Sequence, residues 1–175
     1  FKVDVYSEKK HQLDAPDMIG VKAVIVLEDD GEKPRYFHGH ISSFTSPQRT
    51  TQLSRTQYKM VLSPWLQMYE QVTDCRIFQN AAVMDVIQTL FKDITVAKYD
   101  LSAVTDKHFQ REFWVQYNET IVNFFNRICQ AEGIGYYYTH TKTGHTLHLI
   151  DTHRHFQNIK GHNPLKIQPK TASHL

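Results

Sequence analysis

Residues 111–140 read REFWVQYNETIVNFFNRICQAEGIGYYYTH, strand-like at first, then helical, then strand-like again. Arg111 to Tyr117 forms a strand pattern carrying three aromatics. Asn118 or Thr120 can cap a following helix whose buried stripe is Ile121, Phe124, Phe125 and Ile128. Gly133 stops that helix, as a glycine just past a helix end does. Ile134 to His140 and Thr146 to Asp151 are then two strands around Lys142-Thr143-Gly144, a hairpin. Upstream, Thr73 to Phe78 reads as a strand. Asn80 offers an N-cap for a helix in which Val83, Val86, Ile87, Leu90 and Phe91 fall at helical spacing. Asp93 to Gln110 reads as a polar connector. The second half therefore runs strand, helix, strand, helix, strand, strand.

The first 63 residues carry no helical pattern. Lys2 to Tyr6 alternates polar and apolar, and Ile19 to Leu27 is β-branched and Val-rich, as a buried strand prefers. Asp29-Asp30-Gly31-Glu32 supplies turn chemistry for a hairpin tip. Arg35 to Phe44 and Thr56 to Leu62 read as further strands, with a polar loop from Thr45 to Arg55 between them. Short strands joined by turns predict a small antiparallel barrel or sandwich. Pro64 cannot continue a central strand, so Pro64 to Tyr69 reads as a short helix or a packed corner. The boundary falls between Ser63 and Asp74, without a Gly- or Ser-rich tether. From Thr152 onward the chain is polar and reads as a tail or connector.

Of the 175 residues 41 % are hydrophobic and 22 % charged, enough apolar material for a packed core. Twenty basic against 18 acidic side chains leave +2, which gives no electrostatic case for a dedicated nucleic-acid or membrane-surface binder. No apolar run approaches the roughly 18 residues of a membrane span. The start at Phe1, without Met or a secretory leader pattern, reads as a cut from something longer. Cys75 and Cys129 have apolar neighbours and read as two buried free thiols of a reducing compartment.

Catalytic signatures are sparse. Glu132-Gly133-Ile134-Gly135 follows a helix instead of opening one, the wrong order for a phosphate loop. No G-x-S-x-G elbow is present, and neither cysteine has the local pattern of a catalytic thiol. His38-Gly39-His40 and His153-Arg154-His155 each put two imidazoles on one face of a strand, with His145 and His148 in the hairpin. No cysteine or carboxylate joins them at ligand spacing. The eleven histidines read as scattered and mostly exposed, with at most a weak adventitious metal site. Tyr136-Tyr137-Tyr138 lacks the interleaved Lys and Arg of a base-stacking platform and reads as core or interface packing. The residues leave three readings open: a structural protein, a sugar- or nucleic-acid-binding barrel, and a hydrolase or metal enzyme.

Five strings follow one another in order: YFHGHISSF at 36–44, YKMVLSPWLQMY at 58–69, DCRIFQNAAVMDVIQTLF at 74–91, residues 111–140 as quoted, and HTLHLID at 145–151. Together they resemble the amino-terminal hub region of VgrG, the trimeric spike protein of type VI secretion, and the related hubs of contractile phage tails. The resemblance runs from about Phe1 to His162. Ile121-Val122-Asn123 and Gln130-Ala131-Glu132 depart from the more acidic family pattern but keep the helical spacing.

The resemblance implies an α+β fold: an antiparallel β-barrel resembling a tail-tube subunit at 1–72, a small α/β domain at 73–152, and a connector at 153–175 toward a second barrel. It implies a homotrimer whose six barrels form a pseudo-sixfold ring docked on the hexameric Hcp tube. A PAAR tip protein and effectors would be carried by regions outside this chain. It further implies assembly in the bacterial cytoplasm followed by translocation out of the cell, no enzymatic role, no cofactor or metal, no nucleic-acid partner and no stable membrane insertion. Trp65, Leu66, Tyr69, Phe113 and Tyr117 are the candidates for core or subunit-interface packing.

Overall fold

The computed structural model describes residues 1–8, 13–28, 33–45 and 55–156. In chain order the elements are β1 (Lys2–Glu8), α1 (Ala15–Met18), β2 (Lys22–Leu27), β3 (Arg35–Thr45) and β4 (Arg55–Ser63), then a 3₁₀ turn at Trp65–Tyr69. There follow β5 (Thr73–Ala81), α2 (Val83–Lys92), β6 (Tyr99–Ala103), β7 (Arg111–Thr120), α3 (Ile121–Ala131), β8 (Gly135–His140) and β9 (His145–Ile150), with a second 3₁₀ turn at His153–His155.

The first four strands make one antiparallel sheet, ordered β1-β4-β3-β2 and curled like half a barrel. A register shift between Ile41 and Ser43 marks a bulge in β3, the kind of feature that sharpens a sheet's twist. Ile41, Phe44, Tyr58 and Leu62 form the buried cluster on the inner face, with Phe44 stacked on Tyr58 at 5.2 Å. Leu13, shortly before α1, is tied to this face, because its amide donates to the Tyr58 hydroxyl at 3.2 Å.

The second cluster is larger and built mainly from the two long helices. Val86, Ile87, Leu90 and Phe91 of α2 meet Val122, Phe124, Phe125 and Ile128 of α3, and Leu147 and Leu149 of β9 complete the layer. The 3.6-residue period of both helices sets each stripe on one face, and that burial supplies most of the helices' stability. Around the helices lie the antiparallel ribbon β5-β7 and the sheet β6-β9-β8, in which β6 runs parallel to β9. No described helix is long and apolar enough to cross a membrane.

α3 is bounded as its sequence predicts. Thr120 Oγ1 accepts from the Asn123 amide at 3.1 Å, and Gly133 takes φ +68°. The Ile134 amide then reaches back to the Cys129 carbonyl at 2.8 Å, the closing bond of a Schellman motif.

Several expectations change. α2 is not capped by Asn80: its N-cap is Ala82, whose amide donates to Asp85 Oδ2 at 3.3 Å, while Asn80 stays in β5 at φ +49°. Asn tolerates that left-handed conformation, which lets the strand bend into the helix. The span expected as a polar connector contains β6, held by its parallel pairing to β9. β2 is not a buried strand. It is an edge, with Val26 and Leu27 exposed, as are Ile19 and Val21 just before it. The hairpin tip at 29–32, most of the loop at 45–55, and the connector beyond residue 156 lie outside the described residues.

Candidate functional site

Alternation along β7 separates its aromatics. Trp114 and Gln116 face inward, and Trp114 Nε1 donates to the Ala81 carbonyl at 2.9 Å. Phe113, Val115 and Tyr117 face out, Tyr117 being 80 % exposed. On the paired strand, Ile77 stands opposite Val115 and Gln79 opposite Phe113, while Ile77 and Cys75 share the outward face. The result is an exposed apolar strip across a two-stranded ribbon. Arg127 braces its back, donating to both Glu119 carboxylate oxygens and to the Val115 carbonyl.

The five candidate packing residues therefore fall into two groups. Trp65 and Leu66 are 1 % and 2 % exposed and belong to the helical core, and Tyr69 packs on its margin. Trp65 meets Phe91 edge-on at 5.0 Å and donates from Nε1 to the Lys98 carbonyl at 3.3 Å. Phe113 and Tyr117 lie instead on the outer strip.

Cys75 is exposed, contrary to the expectation of two buried thiols. Its Sγ accepts from the Asn118 amide at 3.2 Å. The apolar neighbours that suggested burial are Ile77, which shares its outward face, and Phe78, which points the other way. Cys129 is buried, and burial pushes its thiol up to about 12.

The histidines are not scattered. His38, His40 and His145 are all buried, and with His140 they form one group where β3 meets the β8-β9 hairpin. His38 and His40 share a face of β3 by strand alternation, and the hairpin covers that face. His38 Nδ1 lies 2.9 Å from His145 Nδ1, and the Trp65 amide donates to His145 Nε2 at 2.9 Å. Neither ring nitrogen of His40 finds a partner among the described residues. Burial lowers all four imidazoles below the ordinary value, His145 to about 4, with the protonatable rings of His38, His140 and His40 beside it adding to the effect. No group of three or more His, Cys, Asp or Glu among the described residues is placed to hold a metal ion.

The other histidine pair is dispersed. His153 is exposed in a 3₁₀ turn, while the His155 ring donates to the Ala103 carbonyl at 2.8 Å. His148 stacks on Tyr137 at 5.0 Å and bonds Thr139 Oγ1 at 2.7 Å.

Residues 1–174 match the family model described as the phage tail baseplate hub (GPD). The type VI secretion system spike protein VgrG1c of Pseudomonas aeruginosa is 32 % identical over 157 residues, 90 % of this chain and 21 % of its own length. VgrG1b of the same organism is 29 % identical over 98 % of this chain and 22 % of its own. The chain thus spans about a fifth of the length of these curated relatives. Among solved structures, the Escherichia coli c3393 protein superposes with a TM-score of 0.76 at 16 % identity, over 90 % of this chain and 43 % of that one. It is described as a type VI secretion component with structural similarity to the T4 bacteriophage tail proteins gp27 and gp5. With residues 1–174 matched to the family model, this chain belongs to the phage tail baseplate hub family.

Proposed function

We propose that this chain is the leading hub portion of a VgrG-type spike, a structural adaptor between a secretion tube and a puncturing needle. The observation that carries the reading is the match to VgrG1c over 90 % of the chain, within one fifth of that relative's length. In this reading residues 1–72 are the first tube-like barrel, 73–152 the small α/β domain and 153–175 the lead into a second barrel. Three copies assemble, dock on a hexameric Hcp tube, and carry a PAAR tip and effectors through regions beyond this chain. Assembly takes place in the bacterial cytoplasm, and the spike is then expelled. The work is mechanical, so no catalytic residue is assigned.

The outer strip of β5-β7 is the surface we assign to a neighbouring copy of the same chain. A hub needs extended interfaces rich in aromatics. The strip offers Ile77, Phe113, Val115 and Tyr117 to a neighbour while Trp114 packs the ribbon onto its own core. A contractile phage tail hub is the second reading, favoured by the family model itself.

The test is deletion of the gene in its native host, followed by assay of the medium for released tube protein. Loss of Hcp release, restored by the intact gene, supports the spike. Unchanged Hcp release with failed assembly of phage particles supports the tail hub. Normal release and normal particles together overturn both.

A further inference from the structure

The histidine group sits between two parts of the fold that are separate in sequence. His38 is on β3 of the curled sheet; His145 is on β9, 107 positions later, and Trp65 begins the helical core. From the bonds that link them we propose that Trp65, His145 and His38 form a proton-sensitive latch joining the curled sheet to the α/β half. This goes beyond the hub reading and does not depend on it.

The proton positions follow from donor chemistry. The Trp65 amide can only donate, so His145 Nε2 must present its lone pair. The proton of a neutral His145 is then on Nδ1 and points at His38 Nδ1, 2.9 Å away. His38 accepts there and carries its own proton on Nε2. Both rings are neutral, and each has one allowed tautomer.

An added proton breaks a link wherever it goes. On His145 Nε2 it meets the Trp65 N–H and leaves that buried amide without an acceptor. On His38 Nδ1 it faces the Nδ1–H of His145. His140 differs, because its Nδ1 lies within 3.2 Å of the His38 amide and 3.0 Å of the His38 carbonyl, so it can accept or donate.

The charged and titratable groups facing the latch come from each packed element. Lys22 of β2 acts on His38 and His40 as a positive charge. β3 adds His40 itself, and β8 adds His140 and Tyr138, whose ring lies 5.7 Å from that of His145. Lys22 is cationic and the His40 and His140 rings become so on protonation, so these three oppose a proton on the latch, while the Tyr138 phenol stays neutral.

The direction with pH follows. An unfolded chain binds protons on these imidazoles near pH 6.5, whereas the folded chain resists them. The latch is fully stabilising above that pH. Its contribution is lost as pH falls from about 6.5 toward about 4, where folded His145 itself charges.

The test uses the native chain and long-range proton–nitrogen NMR of the imidazoles. At pH 7.5 His145 should appear as the Nδ1–H tautomer and His38 as the Nε2–H tautomer, and the Trp65 amide signal should move as His145 titrates well below 6.5. In parallel, the unfolding constant should rise by up to about tenfold per pH unit below 6.5 for each latch imidazole. His145→Gln, whose Oε1 can still accept from the Trp65 amide, should remove its share of that slope. Ordinary titration of His145 near 6.5, the Nε2–H tautomer, or an unchanged slope in His145→Gln would overturn the latch. So would one zinc ion per chain binding His38 and His145 together, which would make the group a metal site.

Discussion

A Cβ on Gly39 of β3 would stand 2.7 Å from the Ser63 carbonyl oxygen and 2.9 Å from the Leu62 side chain. The glycine thus lets the end of β4 pass close to β3, between the two histidines His38 and His40. Gly39→Ala must move backbone, since the carbonyl is held in the sheet. The expected cost is about 1 to 3 kcal/mol, as for other overpacked sites. Gly144→Ala is the control: nothing lies within 4 Å of its Cβ position, and a change of no more than about 0.5 kcal/mol is expected. Urea unfolding of the two variants beside the native chain checks both values.

Trp65 holds the start of the helical core by packing and by hydrogen bonds at once. Trp65→Ala should cost about 3 to 5 kcal/mol, the range for emptying a large buried aromatic site. Trp65→Phe keeps the edge contact with Phe91 and the backbone bond to His145, and loses only the Nε1 bond to Lys98 and part of the volume. It should cost clearly less than Trp65→Ala. Equal losses in denaturant unfolding would mean that the Lys98 bond dominates over packing.

His40 makes the opposite forecast. Its two ring nitrogens are buried without a partner among the described residues, and burial followed by the charge of Lys22 lowers its basicity. Replacing it by Phe removes two desolvated polar atoms and roughly keeps the volume, so stability at pH 7.5 should stay within about 1 kcal/mol of the native chain. At pH 5.0 the variant should be the more stable of the two. The native chain pays a protonation penalty below pH 6.5 at this position, and Phe has none. Unfolding curves at the two pH values decide it.

Where structure is set by neighbours along the chain, the sequence was legible. α3 is the clearest case: the Thr120 cap, the Ile121-Phe124-Phe125-Ile128 stripe and Gly133 all act within fifteen residues. β6 was hidden because what makes it a strand is pairing with β9, Tyr99 meeting Leu147 far along the chain. The histidine group is half legible for the same reason: His38 and His40 share a strand face in the sequence, but only the fold brings His145 onto it from 107 positions later. Cys75 is not placed by its neighbours, because Ile77, two residues on along the same strand face, is apolar and yet exposed beside it. The same two-residue period separates Trp114 from Phe113 and Tyr117, so the aromatic content of residues 111–117 was readable but not which ring faced the core.

The outer strip yields a prediction in which stability and assembly part company. Phe113 and Tyr117 are 51 % and 80 % exposed, so Phe113→Ser with Tyr117→Ser should change the unfolding free energy of the isolated chain by no more than about 1 kcal/mol. In the full-length protein the same pair should lower the native mass measured by light scattering, because the strip is where a neighbouring copy is proposed to sit. Cys75 reports on that face directly. In the isolated chain a thiol reagent should modify Cys75 and spare Cys129, whose thiol is buried and held up to about 12. In the assembled full-length protein Cys75 should become protected, and the double variant should expose it again. Full reactivity of Cys75 in the native assembly would place the subunit contact elsewhere on the hub.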